Sequence, residues 1–261
     1  MLKFIENLGD KTINSLKAYW AAVDFTIECI IHIFLPRSYN AAMLMVLIKQ
    51  IYFTAIGIIP IFLTMSVIFG TIIIGVVISL ATNYNLEDKI GSIIVTFVVD
   101  EFAPFFTALL ISLRSSTAVN TEIAVMKVNK ELNTLKEYKI DLIDYLFVPR
   151  IISGIVSVTS LSLLFAMIML ASGFIFVFFY MGMDLFSYKM LLLNAIEIKD
   201  LLVLIFKGVA FGFVTMIIPI YSGLKAFDSY TAIPISVLNG MVKLFISLFV
   251  IEVLSLLIQS V

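Results

Sequence analysis

Five ionisable residues stand inside stretches that are otherwise apolar: Asp100 and Glu101, Lys207, Lys243 and Glu252. A charge among such residues is costly unless it meets an opposite charge, a hydrated cavity or a change of protonation, so these positions point to ion pairs, a polar path or a proton relay. Other chemistry is thinly represented. Cys29 is the only cysteine and His32 the only histidine, which excludes an intrachain disulfide and a multi-histidine metal site. Both read as packing residues. No GxxxxGK[ST] phosphate loop occurs and no nucleophile stands with a base, so the chain cannot hydrolyse ATP by that route, and no catalytic, cofactor or metal site is expected. A net charge of −1 argues against nucleic acid as a partner, because phosphate binding needs a concentrated excess of Lys and Arg.

The elements that position these residues follow from composition. Of 261 residues 62% are hydrophobic and 13% charged, with a mean hydropathy of +1.13, far from the balance of a water-soluble domain. A helix needs roughly 20 mostly apolar residues to cross a bilayer, and the pattern predicts an all-α integral membrane protein with about five spans: 52–80, 90–113, 151–181, 201–221 and 235–258. Gly57 and Pro60 suggest a bent entry to the first, and Pro104 a kink in the second. The tracts 41–81 and 151–181 leave open a re-entrant segment in place of one tilted helix. Residues 1–35 lack the apolar core and cleavage site of a signal peptide. Instead Leu2, Ile5, Leu8, Ile13, Leu16, Trp20, Val23 and Ile27 share one helical face opposite Lys3, Asp10, Lys11, Asn14 and Lys17, the pattern of a helix lying in the membrane interface. The alternative is an amphipathic helix packed on a soluble domain, and no such domain is visible.

Residues 114–150 hold too many charges for hydrocarbon, where each costs roughly 2.5–3.5 kcal/mol, and are expected outside the bilayer. Val119, Ile123 and Met126 give this island a helical apolar face, suited either to docking in a partner's groove or to a solvated loop. Placing the amino terminus, the island and the 225–234 loop on one side leaves only Lys89, Lys189 and Lys199 opposite. The basic side is therefore cytoplasmic and the carboxyl terminus faces away from it. At 1.5 Å per residue, Lys207 and Glu252 both lie roughly 10 Å in from the outer face and are expected to pair. Glu101, placed near mid-membrane, has no evident partner at its depth.

Around the island the spacing becomes specific. Asp100-Glu101-Phe102-Ala103-Pro104, Leu109-Leu110-Ile111-Ser112-Leu113-Arg114-Ser115-Ser116-Thr117-Ala118, Thr121-Glu122-Ile123, Met126-Lys127-Val128, Glu131-Leu132, Leu135, Asp141, Tyr145-Leu146 and Val148-Pro149-Arg150 together resemble the signature of the MlaE/YrbE permease family. The likeness runs over nearly the whole chain. It implies a homodimeric inner-membrane permease of an ABC transporter that moves phospholipid between the inner and outer membranes. The expected partners are a separate ATPase and a periplasmic MCE-domain ring protein. It also implies a cytoplasmic coupling helix between spans 2 and 3, with Arg114, Ser115, Ser116, Glu122, Met126, Lys127 and Glu131 as ATPase contacts. Asp100, Glu101, Lys207, Lys243 and Glu252 are then candidates for the lipid path. The chain departs from the family pattern at Ser115, Tyr138-Lys139, Asp141-Leu142 and 230–239.

Two other functions compete. A self-contained secondary transporter would use the intramembrane Glu and Lys residues as an ion relay, though five spans do not divide into two equal repeats. A structural scaffold would tolerate neutralising Glu101.

Overall fold

Away from water a backbone must satisfy its own N–H and C=O groups, and each long apolar tract here folds as helix. The computed structural model describes residues 2–36 and 39–259, with side chains described from Lys17 onward except Ala18 and Glu87. In chain order the helices are α1 Leu2–Phe34, α2 Ala41–Thr54, α3 Ile59–Asn83, α4 Ile90–Val95, α5 Ala103–Ile111, α6 Thr117–Val128, α7 Glu131–Glu137, α8 Val148–Met181, α9 Leu185–Ala195, α10 Ile198–Leu224 and α11 Ala232–Gln259. Among the described residues five helices are long and apolar enough to cross a membrane: Ala41–Asn83, Ile90–Val128, Ile143–Met181, Ile198–Leu224 and Ala232–Gln259.

Local chemistry sets the ends. The Asn40 side chain caps α2 by accepting from Met43 N at 2.8 Å. Glu197 and Asp200 form a capping box at the start of α10, and Gly182, in the left-handed region at φ 64°, closes α8. A single 3-10 turn, Ile56–Ile58, separates α2 from α3, whose first turn contains Pro60. Widened π-helical turns, Thr96–Phe102 and Ser112–Ser116, join α4, α5 and α6 into one rod, and a third, Ile143–Phe147, leads into α8. Pro104 and Pro149 follow two of these turns. Each lacks an N–H and would crowd the carbonyl four residues back, and a wider turn removes that conflict without breaking the helix.

Contacts fix the order of packing. Thr54 meets Ser153, Phe62 meets Phe165, and Gly70 and Gly75 lie against Met169 and Phe176. Thus α2 and α3 run parallel to α8 without doubling back, and α8 is one helix of 34 residues. Neither tract is re-entrant. Helix α10 runs antiparallel to α8, with Gly154 beside Met216 and Gly208 beside Thr159, and parallel to the α4–α6 rod.

The helices touch through small residues, because lipid gives no hydrophobic drive for their association and close backbone approach must supply it. A Cβ on Gly212 would come within 2.5 Å of Ile155 Cα and 2.7 Å of Gly154 O. With Gly208 one turn earlier, α10 presents a small-xxx-small stripe to α8.

The helix of the second span runs on past Leu113 into the island as far as Val128, and small and half-apolar residues on its inner face (Ser116, Val119, Asn120, Ile123) are buried against α10 and α11. On α1, the side chains that define the first half of the amphipathic stripe lie outside the described residues. Of the remainder, Trp20 and Ile27 are exposed with Ile30, Ile31 and Phe34, while Cys29 is buried and Phe25 packs on Phe147 and Tyr221. Burial, with Glu28 adding to it, pushes the Cys29 thiol up to about 12, which suits a packing role. His32 does more than pack, since its Nδ1 lies 2.7 Å from Asp144 Oδ1.

Because the atoms facing Gly212 are backbone and cannot rotate away, Gly212→Val is expected to destabilise by about 1–3 kcal/mol. Thermal unfolding in detergent should show a clear loss for Gly212→Val against little change for the exposed Val209→Ala. Equal melting would contradict the close α8–α10 approach.

Candidate functional site

Near the end of the bundle remote from α1, three helices bring charged side chains to one point. Lys207 on α10, only 2% exposed, donates from Nζ to Glu101 Oε2 of the first π-helical turn and, at 3.4 Å, to Glu252 Oε1 of α11. Gln259 Nε2 donates to Glu101 Oε1 at 2.9 Å and to Ser255 Oγ at 3.1 Å. The lysine is sealed, whereas Glu101 and Glu252 keep 15% and 14% exposure. One ammonium thus faces two carboxylates, and Glu252 Oε2 is buried without a hydrogen-bond partner among the described residues. Such a cluster holds three helices in register.

The expected Lys207–Glu252 contact is present. Glu101, expected to lack a partner, instead joins the same lysine. Its helix runs to Val128, so Glu101 lies in the half of the rod nearer Ile90, at the depth of Lys207 rather than midway. Asp100 is buried, and its Oδ1 has no hydrogen-bond partner among the described residues. Lys243 is not brought to the cluster and borders a separate cavity near α1.

At the opposite end, the island residues divide into two groups. Ser115 is buried, and Ser116 Oγ donates to Thr215 O of α10 at 2.6 Å. Lys127 Nζ caps the end of α10 through Leu224 O at 2.8 Å and Ala226 O at 2.6 Å. Met126 is half-buried against the core. Glu122, 53% exposed, accepts from Arg150 Nη2 at 2.6 Å, and Arg150 itself is 2% exposed. Arg114 is exposed, and its guanidinium lies where a Cβ on Gly57 would fall, at 2.7 Å. Glu131 is exposed and accepts from Asn129 Nδ2. The part that projects is the tip at 129–141, where Lys130 and Lys139 take left-handed φ of 62° and 58° and Tyr138 is exposed.

Several functional contacts lay outside the expected set. Gln259 sits seven residues after Glu252, two helical turns along one face, a spacing that could have flagged it. Asn120 donates to Ser236 O at 3.4 Å, a tie between α6 and α11 that no sequence spacing announces. His32, Asp141 and Asp144 bring donor atoms within 4.8 Å of one another, but Asp141 is exposed and already accepts from Ile143 N.

This chain is 26% identical to a probable ABC transporter permease protein of Rickettsia typhi, over 85% of each chain. It is 27% identical to the intermembrane phospholipid transport system permease protein MlaE of Haemophilus influenzae, over 54% of each. A probable ABC transporter permease protein of Synechocystis matches at 26% over 64% of each. Residues 47–258, which hold Lys207, Glu101 and Glu252, the island and nearly all of the five long apolar helices, match the family model described as Permease MlaE. The chain therefore belongs to the MlaE permease family.

Proposed function

We propose that this chain is the membrane subunit of an ABC transporter that moves phospholipid between two membranes, with ATP hydrolysis supplied by a separate subunit. The observation that carries the proposal is the Lys207–Glu101–Glu252 cluster, a half-open polar site among otherwise apolar helices, in a chain of a permease family whose Haemophilus relative bears a phospholipid-transport name. The two partly exposed carboxylates can accept from a headgroup ammonium, while the exposed apolar faces of α3 and α11 suit acyl chains.

The sequence holds no phosphate loop, so the driving force enters from outside the chain, and the relatives named as ABC permeases support an ATPase partner. The contact is formed by the exposed members of the island, Arg114, Glu122 and Glu131, together with the 129–141 tip. Ser116, Lys127 and Arg150 act behind them by tying α6 to α10 and α8, so a push on the tip moves the bundle rather than a loose loop. In this proposal the chain works as a homodimer in the inner membrane. The tip and α1 are cytoplasmic, and the cluster and the carboxyl terminus face the periplasm, where an MCE-domain ring protein receives lipid. The two carboxylates on one lysine also favour a second reading, an ion relay in a self-contained transporter. Purifying the tagged chain from native membranes and identifying its protein and lipid partners separates the two. An ATPase and phospholipid are expected, whereas transport by the chain alone in proteoliposomes would overturn the proposal.

Removing Lys207 strands two carboxylates, and breaking a buried pair costs about 3–5 kcal/mol. Lys207→Gln is expected to reduce lipid transfer at least tenfold, and adding Glu101→Gln to recover part of the loss. Strictly additive losses would contradict the cluster. At the tip, Lys130→Glu with Lys139→Glu is expected to weaken ATPase copurification while stability changes by only about 0.5 kcal/mol. Undiminished copurification would move the contact elsewhere.

A further inference from the structure

Lys243 is the intramembrane lysine that the charged cluster leaves unused. Among the described residues its ammonium has no hydrogen bond and no ion pair, although it stands eleven residues into the apolar helix α11. It borders a cavity of about 740 Å³ between α1, α10 and α11, within the size range of small-molecule sites. Lys225, at the end of α10, borders the same cavity with its ammonium over the Tyr221 ring, 5.4 Å from the centroid. Among the described residues no Asp or Glu lines the space. The walls are otherwise divided: Asn239 offers a hydrogen bond, Ser222 and Ser236 turn their hydroxyls to backbone carbonyls, and Ile217, Ile235 and Ile246 are apolar.

We infer that this groove binds an anionic phospholipid from the leaflet beside α1, its headgroup held by Lys225 and Lys243 and an acyl chain lying along α10 and α11. Two cations with no acid in the lining call for a negative ligand, and a lysine within a membrane helix gains most from one. Its four-carbon stem lets the ammonium reach toward the headgroup level. The neighbouring α1 places Tyr19 on the rim, with exposed Trp20 beside it. Aromatic side chains of this kind favour the headgroup boundary, where such a ligand enters. The site lies at the other end of α10 from Lys207. It requires the chain to sit in a bilayer but not to transport lipid, so its failure and that of the proposed function are separable.

Trp20 is the only tryptophan and reports on this groove. The full chain, reconstituted without ATPase in phosphatidylcholine vesicles, is titrated with dibrominated phosphatidylglycerol or dibrominated phosphatidylcholine while Trp20 emission is followed. The anionic lipid is expected to quench with a preference on the order of fivefold. Lys225→Gln with Lys243→Gln should reduce that preference to near one, and the remote, exposed Lys189→Gln should leave it intact. Equal quenching by the two lipids in the unmodified chain, the result also expected if a second copy of the chain filled the groove, would overturn the inference. So would a preference that survives the double substitution. Loss of the preference on adding millimolar inorganic phosphate at constant ionic strength would assign the site to a soluble phosphate and overturn the lipid.

Discussion

An ammonium buried among membrane-crossing helices has to be neutralised by the protein itself, and Lys207 meets that demand by drawing Glu101 and Glu252 to one point on α10. The demand is geometric as well as electrostatic. Glu101 can reach Lys207 only if the α4–α6 rod is turned and placed in one register, and Glu252 imposes the same on α11. Shape does the rest where charge is absent: Gly208 and Gly212 let α8 approach α10 at backbone distance, a contact that any larger residue would prevent. Helix α10 is therefore the axis of the fold, with a polar seam toward the rod and α11 and a smooth seam toward α8.

Along the polar seam the contacts are discrete. After the Lys207 cluster come Ser116 to Thr215, then Asn120, Ser222 and Ser236 around Gly240, and finally Lys127 on the last carbonyls of α10. Elsewhere in the bundle many hydroxyls turn back on their own helices. Ser66, Thr107, Ser112 and Ser162 each donate to a carbonyl four residues earlier, which satisfies the hydroxyl without committing two helices to each other. The difference decides what moves together. The rod and α10 are joined by directional bonds along their length, so a displacement of α6 at the island carries both to the charged cluster.

Much of this was legible in the sequence, and the residues show why the remainder was not. Spans could be counted because bilayer thickness sets a length that hydropathy reveals. The Lys207–Glu252 pair was legible because both residues could be measured from span ends that composition marks sharply. The partner of Glu101 escaped the same ruler. Its span is read to Leu113, but the helix continues for fifteen further residues to Val128, and the contact with Lys207 follows from the register of the whole rod against α10, which span length does not reveal. Burial of Ser116 and Asn120 was hidden for a related reason: their partners, Thr215 and Ser236, lie about a hundred residues away, and no local period connects them. Lys243 shows the limit of counting charges. Its place in an apolar stretch grouped it with Lys207, whereas its direction on α11 sends it to another cavity.

The π-helical turns join these points. An i→i+5 turn bonds less well than an α turn and persists where something requires it. The first holds Glu101 just before Pro104, the second holds Arg114 over Gly57, and the third holds Asp144 beside His32 just before Pro149. Prolines account for the first and third. No proline follows the second, but the extra residue there shifts the face that α6 presents by roughly 100° relative to α5. That rotation turns Ser116 and Asn120 toward α10 and α11 while leaving Arg114 free to cross to the 56–58 break in the first apolar helix. A chain with regular α turns throughout could satisfy Glu101 or the island contacts, but not both from one continuous helix.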